Sequence, residues 1–281
     1  MKTYLDCYPC FLRQALSAAR RAGAENPQQQ QVIAKVLRAL QAVKPGESPA
    51  EIAYMIHGIV REEVGVSDPY LEAKKKSTRE ALAMYDKLKS LVSGSDDPLE
   101  TAIRISIAGN IIDLAVSDSD HDLWNTVERV LCQPFAINDV EELRHKLDEA
   151  DSILFLGDNA GETVFDRVLV EKLEPPVIYA VKGGLMLNDA TMDDAIAAGL
   201  DGSATLVSTG SDATGTVLSL CSDEFRKAFD EARLVIAKGQ ANYETLSDAG
   251  PKVFCLLQVK CPVIEEDVGA PVGSIIARRS S

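Results

Sequence analysis

The chain has 281 residues, 46% of them hydrophobic, enough to bury one large core or two smaller ones, so disorder is not the default reading. Lys and Arg total 29 against 43 Asp and Glu, a net charge of −14, and no Lys/Arg-rich run offsets it, which argues against binding to nucleic-acid phosphates or anionic lipid. Met1 to Cys10 lacks the basic stretch and apolar core of a signal peptide, and no run of about 18 apolar residues occurs, so a cytoplasmic protein is expected.

The first part of the chain is rich in Ala, Leu, Glu, Arg and Gln, and the spacing predicts helices over Cys10–Arg21, Gln29–Val43, Pro69–Val92 and Leu99–Val116. Ser48 and Glu51 have the spacing of a capping box, and Pro69 suits a first helical turn. From Asp151 the pattern changes to short apolar runs, each ending in a polar, Gly-containing turn: Ser152–Leu156, Val177–Val181, Ala204–Val207, Leu234–Ala237 and Val253–Leu257. Near-continuous apolar strands alternating with helices imply a parallel sheet covered on both faces. The expected fold class is therefore α/β: a helical region over 1–150, forming a cap and one side of a crevice, and a Rossmann-like parallel-sheet domain over 151–281.

In such a sheet the ligand crevice lies at the carboxyl ends of the strands. The first run leaves into Gly157-Asp158-Asn159-Ala160-Gly161-Glu162, and the second into Lys182-Gly183-Gly184, followed by Asn188-Asp189. The third leaves into Ser208-Thr209-Gly210-Ser211-Asp212, and the fourth into Lys238-Gly239-Gln240-Ala241-Asn242-Tyr243-Glu244. Asp, Asn, Ser and Gly after a strand are also ordinary turn and capping residues, so each loop alone is equivocal. Together they place hard oxygen ligands suited to Mg²⁺ or Mn²⁺ beside lysines, hydroxyls and helix N-termini suited to a phosphate.

The ordered strings DNAGE at Asp158–Glu162, ND at Asn188-Asp189, STGSD at Ser208–Asp212 and KGQANYE at Lys238–Glu244 resemble the metal-dependent damage-control phosphatases, long known only as a domain of unknown function. Cys7-Tyr8-Pro9-Cys10 and Gly109-Asn110-Ile111-Ile112-Asp113 match the small microbial branch of that family. The resemblance implies a divalent ion (Mg²⁺, Mn²⁺, Co²⁺ or Ni²⁺) held by Asp158, Asn159 and Asp189, with Lys238 as a further catalytic residue meeting the phosphate. Glu162, Lys182, Asn188, Ser208, Thr209, Asn110, Asp113, Asn242 and Glu244 are the accompanying candidates for phosphate and substrate contact. The implied substrate is a small phosphorylated metabolite such as a sugar phosphate, attacked either by Asp158 itself or by a metal-bound water. Where the family usually has Arg-Gly-x-Pro, this chain has Lys182-Gly183-Gly184-Leu185; losing the guanidinium fork and the Pro bears on substrate range more than on metal binding.

Other signals carry less. Asp118-Ser119-Asp120 imitates a phosphatase nucleophile motif and, with Asp122, a calcium loop, but the flanking residues suit neither, and a helix cap is the better account. His57, His121 and His145 are scattered and receive no chemistry. Cys7 and Cys10 read as buried thiols, half of a structural metal site that a distant Cys261 completes on folding, or a redox pair. Competing readings are S-adenosylmethionine-dependent methyl transfer, for which the glycine loop is incomplete, and a non-catalytic metal- or nucleotide-binding module. Oligomeric state has no sequence signal.

Overall fold

The computed structural model describes residues 1–44, 46–65, 68–111 and 123–281. The candidate Asp113, the expected helix end at 112–116, His121 and the Asp118–Asp122 run lie outside them.

The chain opens with three helices, α1 (Cys7–Arg21), α2 (Asn26–Gln41) and α3 (Pro49–Val64), which turn apolar residues at helical spacing toward one another. Phe11 and Ala15 of α1, Val32 and Val36 of α2 and Ile52 and Ile56 of α3 form a core of their own. The expected capping box starts α3: Ser48 Oγ accepts from the Glu51 amide, and Glu51 Oε2 accepts from the Ser48 amide at 2.8 Å. Next come α4 (Leu71–Ser93), α5 (Pro98–Ile111) and α6 (Leu123–Cys132). Helix α5 is buried almost all round, which carries Ser106 and Asn110 inside the molecule with its isoleucines.

The remainder alternates: β1 (Phe135–Asn138), α7 (Val140–Glu149), β2 (Ile153–Leu156), α8 (Glu162–Val170), β3 (Val177–Val181), α9 (Met192–Ala197), β4 (Thr205–Ser208), α10 (Asp223–Glu231), β5 (Val235–Lys238), α11 (Gly239–Leu246), β6 (Val253–Gln258), α12 (Pro262–Val268) and β7 (Ile275–Arg279). The seven strands form one sheet in the order β1-β7-β6-β5-β2-β3-β4. All neighbours are parallel except β6 and β7. The five expected apolar runs are five of these strands. Two corrections concern the edge: β1 lies ahead of the expected boundary at 151, within the stretch expected to be helical, and β7 returns antiparallel at the end of the chain. Helices α4, α5, α7 and α8 supply one face's core, and α10, α11 and α12 the other's.

Chain order reverses between β2 and β5, since β3 and β4 extend the sheet one way and β6 the other. That is the switch point where an open parallel sheet leaves a crevice. Leu156 of β2 is in register with Ala180 of β3 and Ala237 of β5, so these three strands end at one level.

Candidate active site

Backbone hydrogen bonds first bring the β2 and β3 exits together. The Ala160 amide donates to the Asn188 carbonyl at 2.8 Å and the Ala190 amide to the Asp158 carbonyl at 2.8 Å, while Asn159 and Asp189 form an isolated bridge. Asp158, Asn159, Asn188 and Asp189 are thereby fixed side by side on the wall of a cavity of about 380 Å³. The β5 exit adds Gln240, Ala241 and Glu244, the β6 exit adds Lys260 and Cys261, and α1 closes the opposite side with Cys7, Cys10, Arg13 and Gln14. A larger cleft of about 610 Å³ lies near Asp97, Arg144 and Lys172. It shares no residue with the strand exits, and Arg144 is already paired with Asp97, so size does not locate the chemistry.

Behind the cavity wall the side chains form a continuous buried network. Asp158 Oδ2 accepts from Asn110 Nδ2 at 3.0 Å and Asn159 Nδ2 at 3.3 Å. Both amides also donate to Glu162 Oε1, at 2.7 and 2.6 Å. Glu162 Oε2 lies 3.4 Å from Lys238 Nζ, which also donates to Asp166 Oδ1 and to the Ser106 carbonyl. Asp166 accepts further from Ser106 Oγ at 2.7 Å and Tyr179 Oη at 2.8 Å. Burial opposes the charge on Lys238, but Asp166 and Glu162 outweigh it and hold its pKa above the usual lysine value. Burial, then the carboxylates of Glu162 and Asp189, push Asp158 well above the ordinary carboxylate range, with Lys260 and Lys182 opposing them.

Of the expected residues, Asp158, Asn159, Asn188, Asp189 and Glu244 line the cavity, as do Cys7 and Cys10. Asn110 and Glu162 stand one layer behind, bonded to Asp158 or its neighbour. Lys238 does not reach the cavity wall: it has no exposed surface and is held between α5 and α8. Lys182 sits 3.8 Å from Asp189 Oδ2 and donates to the Gly215 carbonyl. Asn242 donates to the Gly157 and Lys238 carbonyls and accepts from Thr216, stitching the β5 exit to the β2 exit. Ser208 and Thr209 have their hydroxyls turned to local amides, Gly210 and Ser211, and lie off the cavity. Gln240, inside the KGQANYE string but not singled out in it, lines the cavity, as do Arg13, Thr214 and Lys260, which belong to no recognised string. Only the position of Lys260 just beyond the fifth apolar run offered a sequence signal.

The wall suits a hard divalent cation. Two carboxylates and an amide converge there, and the Asn110 amide oxygen beside them is buried with no hydrogen-bond partner among the described residues. No group of three His, Cys, Asp or Glu side chains with metal-holding geometry occurs among the described residues, so such a set depends on the amide oxygen as third donor and leaves the thiols apart. The Cys7 thiol is pushed up by burial, with Glu244, Cys261 and Cys10 adding to it, which disfavours the thiolate a metal or redox partner needs. No helix among the described residues is long and apolar enough to cross a membrane.

Comparison with known proteins gives the family and the fold. Residues 3–276 match the family model of the damage-control phosphatase ARMT1-like domain. Damage-control phosphatase PH1575 of Pyrococcus horikoshii is 32% identical over 286 residues, covering 100% of this chain and 99% of its own. A damage-control phosphatase of Archaeoglobus fulgidus is 36% identical over 237 residues, covering 82% of each chain. The crystal structure of the DUF89 family protein from P. horikoshii superimposes with a TM-score of 0.90 over 100% of both chains.

Proposed function

This chain belongs to the ARMT1-like damage-control phosphatase family, and from that premise we propose that it is a divalent-metal-dependent phosphatase hydrolysing small phosphorylated metabolites at the β2/β5 crevice. The observation that carries the reading is the convergence of Asp158, Asn159 and Asp189 on one cavity wall at the sheet's switch point. These three residues would hold the ion. When bound, a divalent cation polarises the phosphoryl oxygens and offsets the carboxylates' repulsion of the substrate.

The protein's own residues prepare this wall. Asn110 and Asn159 grip Asp158 Oδ2, leaving Oδ1 without a hydrogen bond among the described residues and able to face cation or phosphorus. Glu162 holds both amides in their donating orientation, and Lys238 holds Glu162. Lys238 is thus a positioning residue here, in place of the phosphate contact that its motif suggested.

Phosphate release from sugar phosphates, nucleotides and cofactor phosphates should vanish with chelator and return with Mn²⁺, Mg²⁺, Co²⁺ or Ni²⁺. Asp158→Asn keeps the shape but removes a negative ligand and any carboxylate nucleophile, so the rate should fall on the order of a hundredfold or more. Full-rate hydrolysis in rigorously metal-free protein, or in Asp158→Asn, would overturn the assignment.

A further inference from the structure

With Lys238 withdrawn behind the wall, a phosphate in the cavity needs other cations. Two are present. Arg13 lies on the stripe Cys10, Arg13, Gln14 and Ser17, whose spacing of three, four and seven residues turns one face of α1 to the cavity. Lys260 lines the same cavity from between β6 and α12, with its backbone amide held by Gln240 Oε1 at 3.3 Å. Both side chains are exposed, and neither makes a hydrogen bond, ion pair or ring contact among the described residues. Gln240, which holds the Lys260 amide, follows Gly239, the residue lying against Asp158, so Lys260 stands on the side where the reacting phosphoryl group belongs. Arg13 faces in from the helical layer, where the remainder of a substrate would extend.

We propose that Arg13 and Lys260 form the anion-recognising pair of this cavity, Lys260 at the phosphoryl group and Arg13 at a second oxyanion of the substrate, so that the preferred substrates are phosphomonoesters carrying a second anionic group. A guanidinium offers a planar fork to a carboxylate or phosphate, while an ammonium acts as a point charge beside an already coordinated phosphoryl group. The acidic side chains of the cavity outside the metal wall do not cancel the pair: Asp6, which precedes α1, is seven residues from Arg13, and Glu244 is engaged by Gln240 Nε2 at 2.9 Å. A cavity of about 380 Å³ accommodates a doubly charged sugar-sized molecule.

The proposal rests on the phosphatase reading, and the test separates the two. With Mn²⁺ present, kcat/KM is measured for a hexose monophosphate, a hexose bisphosphate and a hexonate monophosphate carrying a carboxylate. The wild type should favour at least one of the doubly anionic esters by tenfold or more, and which one identifies the second group as phosphate or carboxylate. Arg13→Gln should bring that ratio toward one, mainly through KM, and Lys260→Gln should lower kcat/KM for all three. A wild-type ratio near one, or a ratio that survives Arg13→Gln, overturns the proposal while leaving phosphatase activity standing. Absence of phosphate release from all three esters sinks the phosphatase reading instead. Calorimetric titration with the same unhydrolysed esters then decides the anion pair: tighter binding of a doubly anionic ester, lost in Arg13→Gln, upholds it, and equal binding overturns it.

Discussion

A lysine with no exposed surface must have its charge met inside the protein, and Lys238 is met by Asp166, Glu162 and the Ser106 carbonyl. Replacing it with a neutral side chain leaves two buried carboxylates facing each other without the ammonium between them. Lys238→Met should therefore cost about 3–5 kcal/mol of unfolding free energy in denaturant titrations, with activity falling because Glu162 no longer fixes the amides on Asp158. A variant of wild-type stability that had merely lost substrate affinity would return Lys238 to the cavity. The KGQANYE string marked the β5 exit correctly but could not give the direction of its first side chain. Lys238 is the last residue of a strand buried throughout, in a sheet covered on both faces, and it ends under α5 and α8 instead of in the crevice.

At the scale of elements, the turn from β5 into α11 is the tightest constraint on the site. Gly239 has φ +78°, and a Cβ there would lie 1.8 Å from Asp158 Oδ2 and 2.9 Å from Asn110 Nδ2. Its glycine is required twice over, by backbone conformation and by the carboxylate lying against it. Gly239→Ala should displace Asp158, weakening Mn²⁺ binding in calorimetry and lowering kcat/KM by on the order of a hundredfold, with about 1 kcal/mol lost to backbone strain. Near-normal Mn²⁺ affinity in this variant would contradict the assignment of Asp158. Strand exits were legible because apolar runs that stop abruptly at Gly and Asp have few alternatives. The strands β1 and β7 were not: β1 is four residues of alternating burial, and β7 offers two isoleucines and an alanine before Arg278 and Arg279. The hydroxyls of Ser208 and Thr209 looked like ligand contacts because a turn-forming Ser or Thr has the same spelling as a binding one.

For the molecule as a whole, the cavity is made by two layers meeting, and Arg61 of α3 helps tie them: it donates to the Leu185 carbonyl at 2.8 Å and pairs with Asp212 at 3.0 Å. Glu244 lies where those layers meet, and burial pushes its pKa up to about 7, with the Gln240 hydrogen bond and the Met1 amine opposing and Asp267 adding to the rise. A carboxyl with a raised folded-state pKa stabilises the fold fully below its unfolded value, about 4.5, and that contribution is lost as pH rises through about 7. Glu244→Gln should then be more stable than the wild type at pH 8, by on the order of 1 kcal/mol, with the gap closing at pH 4 to 5 in thermal unfolding. A gap that did not vary with pH would show that folding leaves the Glu244 pKa unshifted. A different consequence follows from β7, which pairs with both β1 and β6 and so separates them. Ribosomes deliver a chain from its amino end, so residues 135–138 must wait for residues 275–279 before they have any neighbour in the sheet. Until residues 275–279 emerge, β1 has nothing to pair with and β6 is a bare edge, so the sheet stays open while the more than 130 residues that follow β1 are made.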